Sequence, residues 1–290
     1  MVSPMDRTIG VILKPGAPEA LVAARKLQEL VSDARWVTEK EGYHAVEGLP
    51  AFERLQADEF EAACSLAVVF GGDGTLIHAA SLFPERAVPI LGINLGKIGF
   101  LTEVTLEGLS EAIQLAISDS LPVQERMRLD VSIERDGAQI AAGRLLNDAV
   151  LSQAAMARIN SYRVFCDDQF VTRVRGDGVI IATPTGTTAY ALAAGGAILT
   201  PDMEAITITP ISPHQLTQRP LVVGADTVIR VEIDSETPVV ATFDGQAWYD
   251  FQRGDVLRIQ RAPVPAFILS APGRSYFKML RTKLRWGDSE

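Results

Sequence analysis

Apolar and polar positions alternate in two different rhythms along this chain. In the first third, residues 8–13 (TIGVIL) form a short apolar run closed by Lys14-Pro15-Gly16, which predicts a buried strand. Residues 18–31 place Leu21, Ala24, Leu27, Leu30 and Val31 at helical spacing behind Pro18. A weaker strand is predicted over 34–37. Residues 66–70 (LAVVF) are apolar throughout, as a strand inside a parallel sheet must be. A helix over 75–82, a strand over 88–93 and a helix over 106–117 follow. Strands separated by helices predict a parallel sheet with right-handed crossovers.

After Pro122 the rhythm shortens. Residues 129–134 and 139–145 flank Asp136-Gly137, a hairpin signal, and 162–166 and 170–174 flank Asp167-Asp168. Runs over 228–233, 239–243 and 256–260 continue the series. This predicts an all-β, sandwich-like domain. Residues 275–286 return to helical spacing through Phe277, Leu280 and Leu284, too short to fold alone and expected to pack on the N-terminal domain. The expected fold class is therefore α/β + β. A Rossmann-like α/β domain comprises residues 1–121 and 271–290, and a β-sandwich domain comprises residues 122–270.

Composition narrows the chemistry. Of 290 residues, 47% are hydrophobic and 22% charged, enough for a sizeable core without disulfide or metal staples. The net charge of −9 argues against a nucleic-acid or anionic-membrane partner, which needs a basic face. Phosphate ligands stay open, because backbone N–H groups and a divalent cation hold phosphates on acidic proteins. Cys64 and Cys166 lack metal-ligand or CxxC spacing and read as thiols of a reducing compartment. The first residues carry no apolar signal core, and no stretch reaches the ~18 apolar residues of a membrane span, so a soluble cytoplasmic protein is expected.

Three stretches stand out. Gly71-Gly72-Asp73-Gly74-Thr75 directly follows the strand over 66–70 and opens a helix, the place where open α/β sheets bind ligands. Glycines let a phosphate approach the backbone, and the helix aims free N–H groups at it. It is neither GxGxxG nor a P-loop. An aspartate near phosphate costs roughly 4 kcal/mol per charge pair at ~4 Å and an effective dielectric of ~20, so Asp73 needs a compensating use. It accepts a proton from an attacking hydroxyl, or it helps hold Mg²⁺. The bland alternative is a plain Gly-Asp-Gly turn, and His78 either reaches the pocket or is simply a helix residue. The second stretch runs from Gly176-Asp177-Gly178 into Thr183-Pro184-Thr185-Gly186-Thr187-Thr188-Ala189-Tyr190 and ends at Gly195-Gly196. Its hydroxyls and small residues suit a nucleoside; a capped short helix is the alternative. The third is Asn147-Asp148, a polar pair set in an apolar strand over 145–151. It suits two ribose hydroxyls, the alternative being a bulge or strand-end turn.

On these motifs the chain resembles the NAD kinase family. GGDGT, Asn147-Asp148 and TPTGTTAY occur in that family's order. Further matches are Asn94-Leu95-Gly96 with Gly99-Phe100-Leu101-Thr102, Pro213-His214 with Arg219-Pro220, and Asp244-Gly245-Gln246. GGDGT alone is shared with diacylglycerol-kinase-like, sphingosine-kinase-like and phosphofructokinase-like enzymes; TPTGTTAY is more specific. The resemblance implies ATP-dependent phosphorylation of the adenosine-ribose 2′-hydroxyl of NAD, with Mg²⁺ carried by ATP rather than by protein ligands. It implies NAD in a crevice between the domains and a homodimer or homotetramer with sites completed across subunits. It implies Asp73 as proton acceptor, Gly71, Gly72, Gly74 and Thr75 as the phosphate loop, and Phe100 near the dinucleotide. Asn147 and Asp148 would contact the adenosine half. Thr188, Ala189 and Tyr190 would line the adenine and ribose pocket, with Ala193 at its edge. Asp177, preceded by Arg175, would reach the nicotinamide-side ribose from a neighbouring subunit. Gln246 and Arg158 are further transfers, and His78 joins the substrate-binding set. Ser152-Gln153 stand where the family often has His-Arg, and Ala193 where it has serine. Two rival readings remain at this point: a lipid kinase sharing GGDGT, and a nucleotide-binding regulator without catalysis.

Overall fold

A computed structural model describes residues 7–40, 52–96, 99–153, 160–237 and 239–286. The chain divides into two compact units: Met1–Glu125 with Ala266–Glu290, and Arg126–Pro265. Among the described residues no helix is long and apolar enough to cross a membrane.

The first unit is built on a sheet ordered Glu53–Leu55, Arg35–Glu39, Thr8–Leu13, Leu66–Phe70, Pro89–Asn94, Ala266–Leu269, Val123–Arg126, with Val104–Thr105 also pairing with Pro89–Asn94. The central pairings are parallel. Thr8–Leu13 and Leu66–Phe70 are buried at every position, which is why both are apolar runs without alternation. From Thr8–Leu13 the chain builds outward in one direction. It then restarts beside that strand at Leu66–Phe70 and builds the other way. Such a reversal leaves a ligand crevice at the carboxyl ends of the two strands. Lys14 N–H donates to Phe70 O (2.8 Å) and Gly71 N–H to Ile93 O (2.9 Å), tying those ends together.

Helix Pro18–Leu30 starts with proline in its first turn and turns Ala20, Ala23, Ala24 and Leu27 into the core. Leu109–Ile117 does the same with Leu109, Ala112, Ile113 and Ala116. The late return of the chain adds strand Ala266–Leu269 and helix Tyr276–Leu284. The helix is capped by Ser275, whose hydroxyl accepts from Lys278 N–H at 3.4 Å. Arg274 just ahead of it donates to Glu103 O (2.6 Å), so the C-terminal helix belongs to the first unit, as its spacing predicts.

The second unit is a sandwich of two six-stranded antiparallel sheets. One runs Leu221–Gly224, Ala205–Ile211, Gly178–Ala182, Asp148–Gln153, Val239–Phe243, Ala247–Phe251. The other runs Gln169–Gly176, Asn160–Cys166, Ile229–Ile233, Val256–Arg261, Leu129–Arg135, Ala138–Leu145. Leu129, Val131, Ile133, Val231 and Leu257 from one sheet meet Leu151, Val179, Ile181, Ile208 and Ala241 from the other in a single core. Alternating burial along Leu129–Arg135 and Ile229–Ile233 shows one face inward and one outward. The hairpins close on residues in the left-handed region: Asp136 and Gly137 (φ 52° and 77°), Asp167 and Asp168 (49° and 63°), and Asp244 and Gly245 (51° and 65°).

One sequence expectation fails. Asn147 and Asp148 do not share an apolar strand over 145–151. Ala138–Leu145 ends in one sheet, Asp148–Gln153 begins in the other, and Leu146-Asn147 is the crossover. Apolar residues on both sides of the crossover disguise it.

A Cβ added to Gly10 would lie 2.5 Å from Cys64 Sγ and 2.7 Å from the Phe60 ring. Gly10→Ala is expected to overpack this layer, costing about 1–3 kcal/mol and lowering the melting temperature by several degrees. Thermal unfolding of the variant checks it.

Candidate active site

Strand Leu66–Phe70 delivers the chain into Gly71-Gly72, and helix Asp73–Ser81 starts there with Asp73 in its first turn. Gly71 must lack a side chain, because a Cβ would run into Thr75. At Gly72 and Gly74 a Cβ would meet nothing within 4 Å, so the backbone there is open to a ligand. The Asp73 carboxylate is not idle. Oδ2 accepts from Phe100 N–H (2.8 Å). Oδ1 accepts from Leu101 N–H (3.0 Å), Thr102 N–H (3.0 Å) and the Thr102 hydroxyl (3.1 Å). Gly99 permits this closeness, since a Cβ there would overlap the carboxylate. Asp73 thus holds the 99–102 loop, and Oδ2 is the oxygen with spare acceptor capacity. Phe100 reaches Asp73 through its backbone. His78 pairs with buried Glu39, Nε2 to Oε2 at 3.1 Å, an engagement within the first unit.

The second locus lies in the second unit, on the face of strand Asp148–Gln153 that points away from the core between the sheets. A cavity of about 270 Å³ is lined by Asn147, Asp148, Ser152, Ala189, Tyr190, Thr242 and Asp244, among others. Ala189 and Tyr190 reach it from the 183–190 segment, a 3₁₀ turn Thr185–Thr188 followed by the short helix Tyr190–Ala193. Gly186 packs so tightly on the Asn147 backbone that any side chain would overlap it. The threonine hydroxyls are mostly spent on this architecture. Thr183 Oγ1 donates to Leu146 O (2.6 Å), Thr187 Oγ1 to Pro184 O (2.6 Å) and Thr188 Oγ1 to Thr185 O (3.2 Å). The hydroxyls that suit a nucleoside in sequence are thus largely committed to backbone carbonyls. Thr185 Oγ1 and Asn147 Oδ1 are the exceptions, buried without a protein hydrogen-bond partner. Buried polar atoms of this kind call for a ligand or solvent partner.

Charge is concentrated at one end of the cavity. Asp244 accepts three backbone N–H groups, from Leu146 to Oδ2 (2.7 Å) and from Asn147 and Asp148 to Oδ1 (2.8 and 2.9 Å). Burial pushes the Asp244 carboxyl up, and the three N–H groups oppose that push. Asp148 lies beside it. Burial first, then the Asp244 charge, push its carboxyl up to about 7. With its carboxyl at about 7, Asp148 holds a proton for part of the time near neutrality, coupled to the neighbouring Asp244.

Not every expected residue joins this cavity. Asp177 precedes strand Gly178–Ala182, at the end where Gly178 pairs with Ser152, whereas Asp148 pairs with Ala182 at the other end. Four residues of strand separate the two ends, about 13 Å. There Asp177 accepts from Gln153 Nε2 (2.9 Å) and Arg175 is exposed. Ala193 and Gln246 are exposed outside the lining. Arg158 lies outside the described residues. Sequence reasoning did not single out Ser152 or Thr242 as lining residues, and it noted Asp244 only inside a matching triplet. The register Val150–Thr242 and the Asp-Gly turn were the available signals.

Comparison with known proteins is unambiguous. The profile of the ATP-NAD kinase N-terminal domain matches residues 9–120, and that of the ATP-NAD kinase C-terminal domain matches residues 146–270. An NAD kinase of Geotalea daltonii is 39% identical over 283 residues, covering 97% of this chain and 99% of its own. One from Geobacter sp. strain M21 is 40% identical over 287 residues, with the same coverage. Among solved structures, yeast NADH kinase complexed with NADH superposes with a TM-score of 0.88 at 25% identity, covering 98% of this chain and 89% of that one. An NAD kinase from Archaeoglobus fulgidus in complex with ATP gives 0.73 at 25% identity, covering 96% and 98%.

Asp148 makes a pH prediction. An unfolded aspartate titrates near 3.8 and the folded Asp148 near 7, so between these values the folded chain holds a proton that the unfolded chain has released. Stability from this group is full below pH 3.8 and is lost as the pH rises to about 7. Asp148→Asn keeps the shape without the titration and is expected to flatten that decline. Denaturant midpoints measured from pH 4 to pH 8 check it; an unchanged slope would place the shift elsewhere.

Proposed function

The chain belongs to the NAD kinase family, and on that premise we propose how its residues divide the work of moving a phosphoryl group from ATP to the adenosine-ribose 2′-hydroxyl of NAD. The enzyme is a phosphotransferase with an alcohol acceptor, and NADP is its product. The lipid-kinase and non-catalytic readings lose their support once both halves match the same family.

The cavity of the second unit receives the dinucleotide. Asn147 Oδ1, buried without a protein partner in the cavity lining, accepts from a ligand hydroxyl or amino group. Asp148 donates or accepts according to its protonation, and Ala189 and Tyr190 flank the nucleoside. Gly71, Gly72, Gly74 and Thr75 form the phosphate loop: Gly71 and Thr75 pack together to hold its shape, and Gly72 and Gly74 leave space for phosphates at the helix N-terminus. Asp73 takes the proton of the 2′-hydroxyl at Oδ2. The observation that carries this is the carboxylate itself: four donors hold it in place, and one of its two oxygens accepts only once. Transfer of this kind proceeds through a loose transition state, so positioning and charge neutralisation supply most of the acceleration.

Among the described residues no group of three or more His, Cys, Asp or Glu is gathered to cage a metal. A single carboxylate beside open glycine backbone fits Mg²⁺ that arrives on the triphosphate. When bound, Mg²⁺ supplies charge neutralisation at the phosphates. Arg175 and Asp177, at the far end of their strand, are assigned to the nicotinamide-side ribose of a neighbouring copy in a cytoplasmic homodimer or homotetramer.

The reaction is tested with purified protein, Mg²⁺, NAD or NADH, and ATP or polyphosphate, following formation of the 2′-phosphorylated product. Asp73→Asn should lower kcat by about 10²–10⁴-fold. Because an amide would turn a donor toward Phe100 N–H, it should also cost about 1–3 kcal/mol of stability. Near-normal turnover in that variant would remove Asp73 from its role.

A further inference from the structure

The cavity depends on a backbone segment that belongs to neither sheet. Leu146 and Asn147 form the crossover between the two sheets, so the strand ladders do not serve their polar groups. On one side, Thr183 N–H donates to Asn147 O (2.9 Å) and Thr183 Oγ1 to Leu146 O (2.6 Å). On the other, all three N–H groups of Leu146, Asn147 and Asp148 end on the Asp244 carboxylate at 2.7–2.9 Å. Asp244 N–H donates to Asp148 O at 2.9 Å, closing a ring. The Asp244 backbone, at φ 51°, is the first residue of the Asp-Gly turn after strand Val239–Phe243.

We propose that Asp244 is a positioning residue for NAD: by collecting the three N–H groups of the crossover it sets the places of the Asn147 and Asp148 side chains, and hence the affinity for the dinucleotide. This rests on the reading of the cavity as the dinucleotide site. Geometry alone supports it, since two of the three amides, those of Asn147 and Asp148, belong to residues whose side chains line the cavity. Charge adds a second, separable effect. The two strands flanking Asp148–Gln153, Gly178–Ala182 and Val239–Phe243, carry no titratable residue. The titratable groups facing Asp148 among the described residues are Asp244 and, across the cavity, the Tyr190 phenol. The Asp244 charge therefore helps decide at which pH Asp148 releases its proton.

Asp244→Asn separates the possibilities. Asparagine tolerates the left-handed backbone. Its amide oxygen can still serve Asn147 and Asp148 N–H, but its NH₂ opposes Leu146 N–H. The Kd for NAD, measured by direct titration, should rise about 10- to 100-fold. The pH midpoint of NAD binding should move down, because Asp148 has lost its charged neighbour. A merely structural role would lower stability without moving that midpoint. Wild-type Kd and midpoint in Asp244→Asn, alongside weakened binding in Asn147→Ala and Asp148→Asn, would overturn the positioning role. Unchanged binding in Asn147→Ala and Asp148→Asn would instead overturn the reading of the cavity. If Asp244→Asn does not fold, hydrogen exchange on the native enzyme decides. The Leu146, Asn147 and Asp148 amides should exchange slowly, and fast exchange at these three would overturn the proposal.

Discussion

A carboxylate that gathers three consecutive backbone N–H groups is the constraint on which both functional loci depend. Asp73 does this for Phe100, Leu101 and Thr102, and Asp244 for Leu146, Asn147 and Asp148. Backbone N–H groups that leave a sheet must find acceptors, and an irregular segment without them does not hold one shape. In each unit one aspartate stands in for a missing strand. The polar segments beside the glycine-rich turn and beside the second-unit cavity thereby have acceptors for their N–H groups.

How much of this was legible in sequence follows from the range of the interactions. Local patterns read well. LAVVF is a wholly buried parallel strand, Asp136-Gly137 closes a hairpin in the left-handed region, and the residues after 275 make a helix. The glycine-rich turn was legible because its chemistry is contiguous. The Asn147 crossover was not, because apolar residues on both sides conceal a change of sheet. Nor was Asp244, whose partners lie 96 to 98 positions away. The threonines of 183–188 read differently in the structure: composition advertises hydroxyls for a ligand, while those of Thr187 and Thr188 hold their own turn and that of Thr183 holds the Leu146 carbonyl.

An acidic chain handles a doubly anionic pair of substrates by keeping its negative groups occupied. Asp73 and Asp244 accept from backbone N–H donors, and burial first, then the Asp244 charge, pushes the Asp148 carboxyl up to about 7. Local neutralisation by oriented amides, rather than a basic surface, is compatible with a net charge of −9.

Strand Ala266–Leu269 sits between Pro89–Asn94 and Val123–Arg126 in the first sheet. On the ribosome, synthesis proceeds from the N-terminus, so that interior slot stays vacant until translation is nearly complete. The intervening sandwich is contiguous in the message and is free to mature first. The first sheet is the last piece of the chain to close, and a chain truncated before Ala266 leaves an unpaired strand border that invites aggregation.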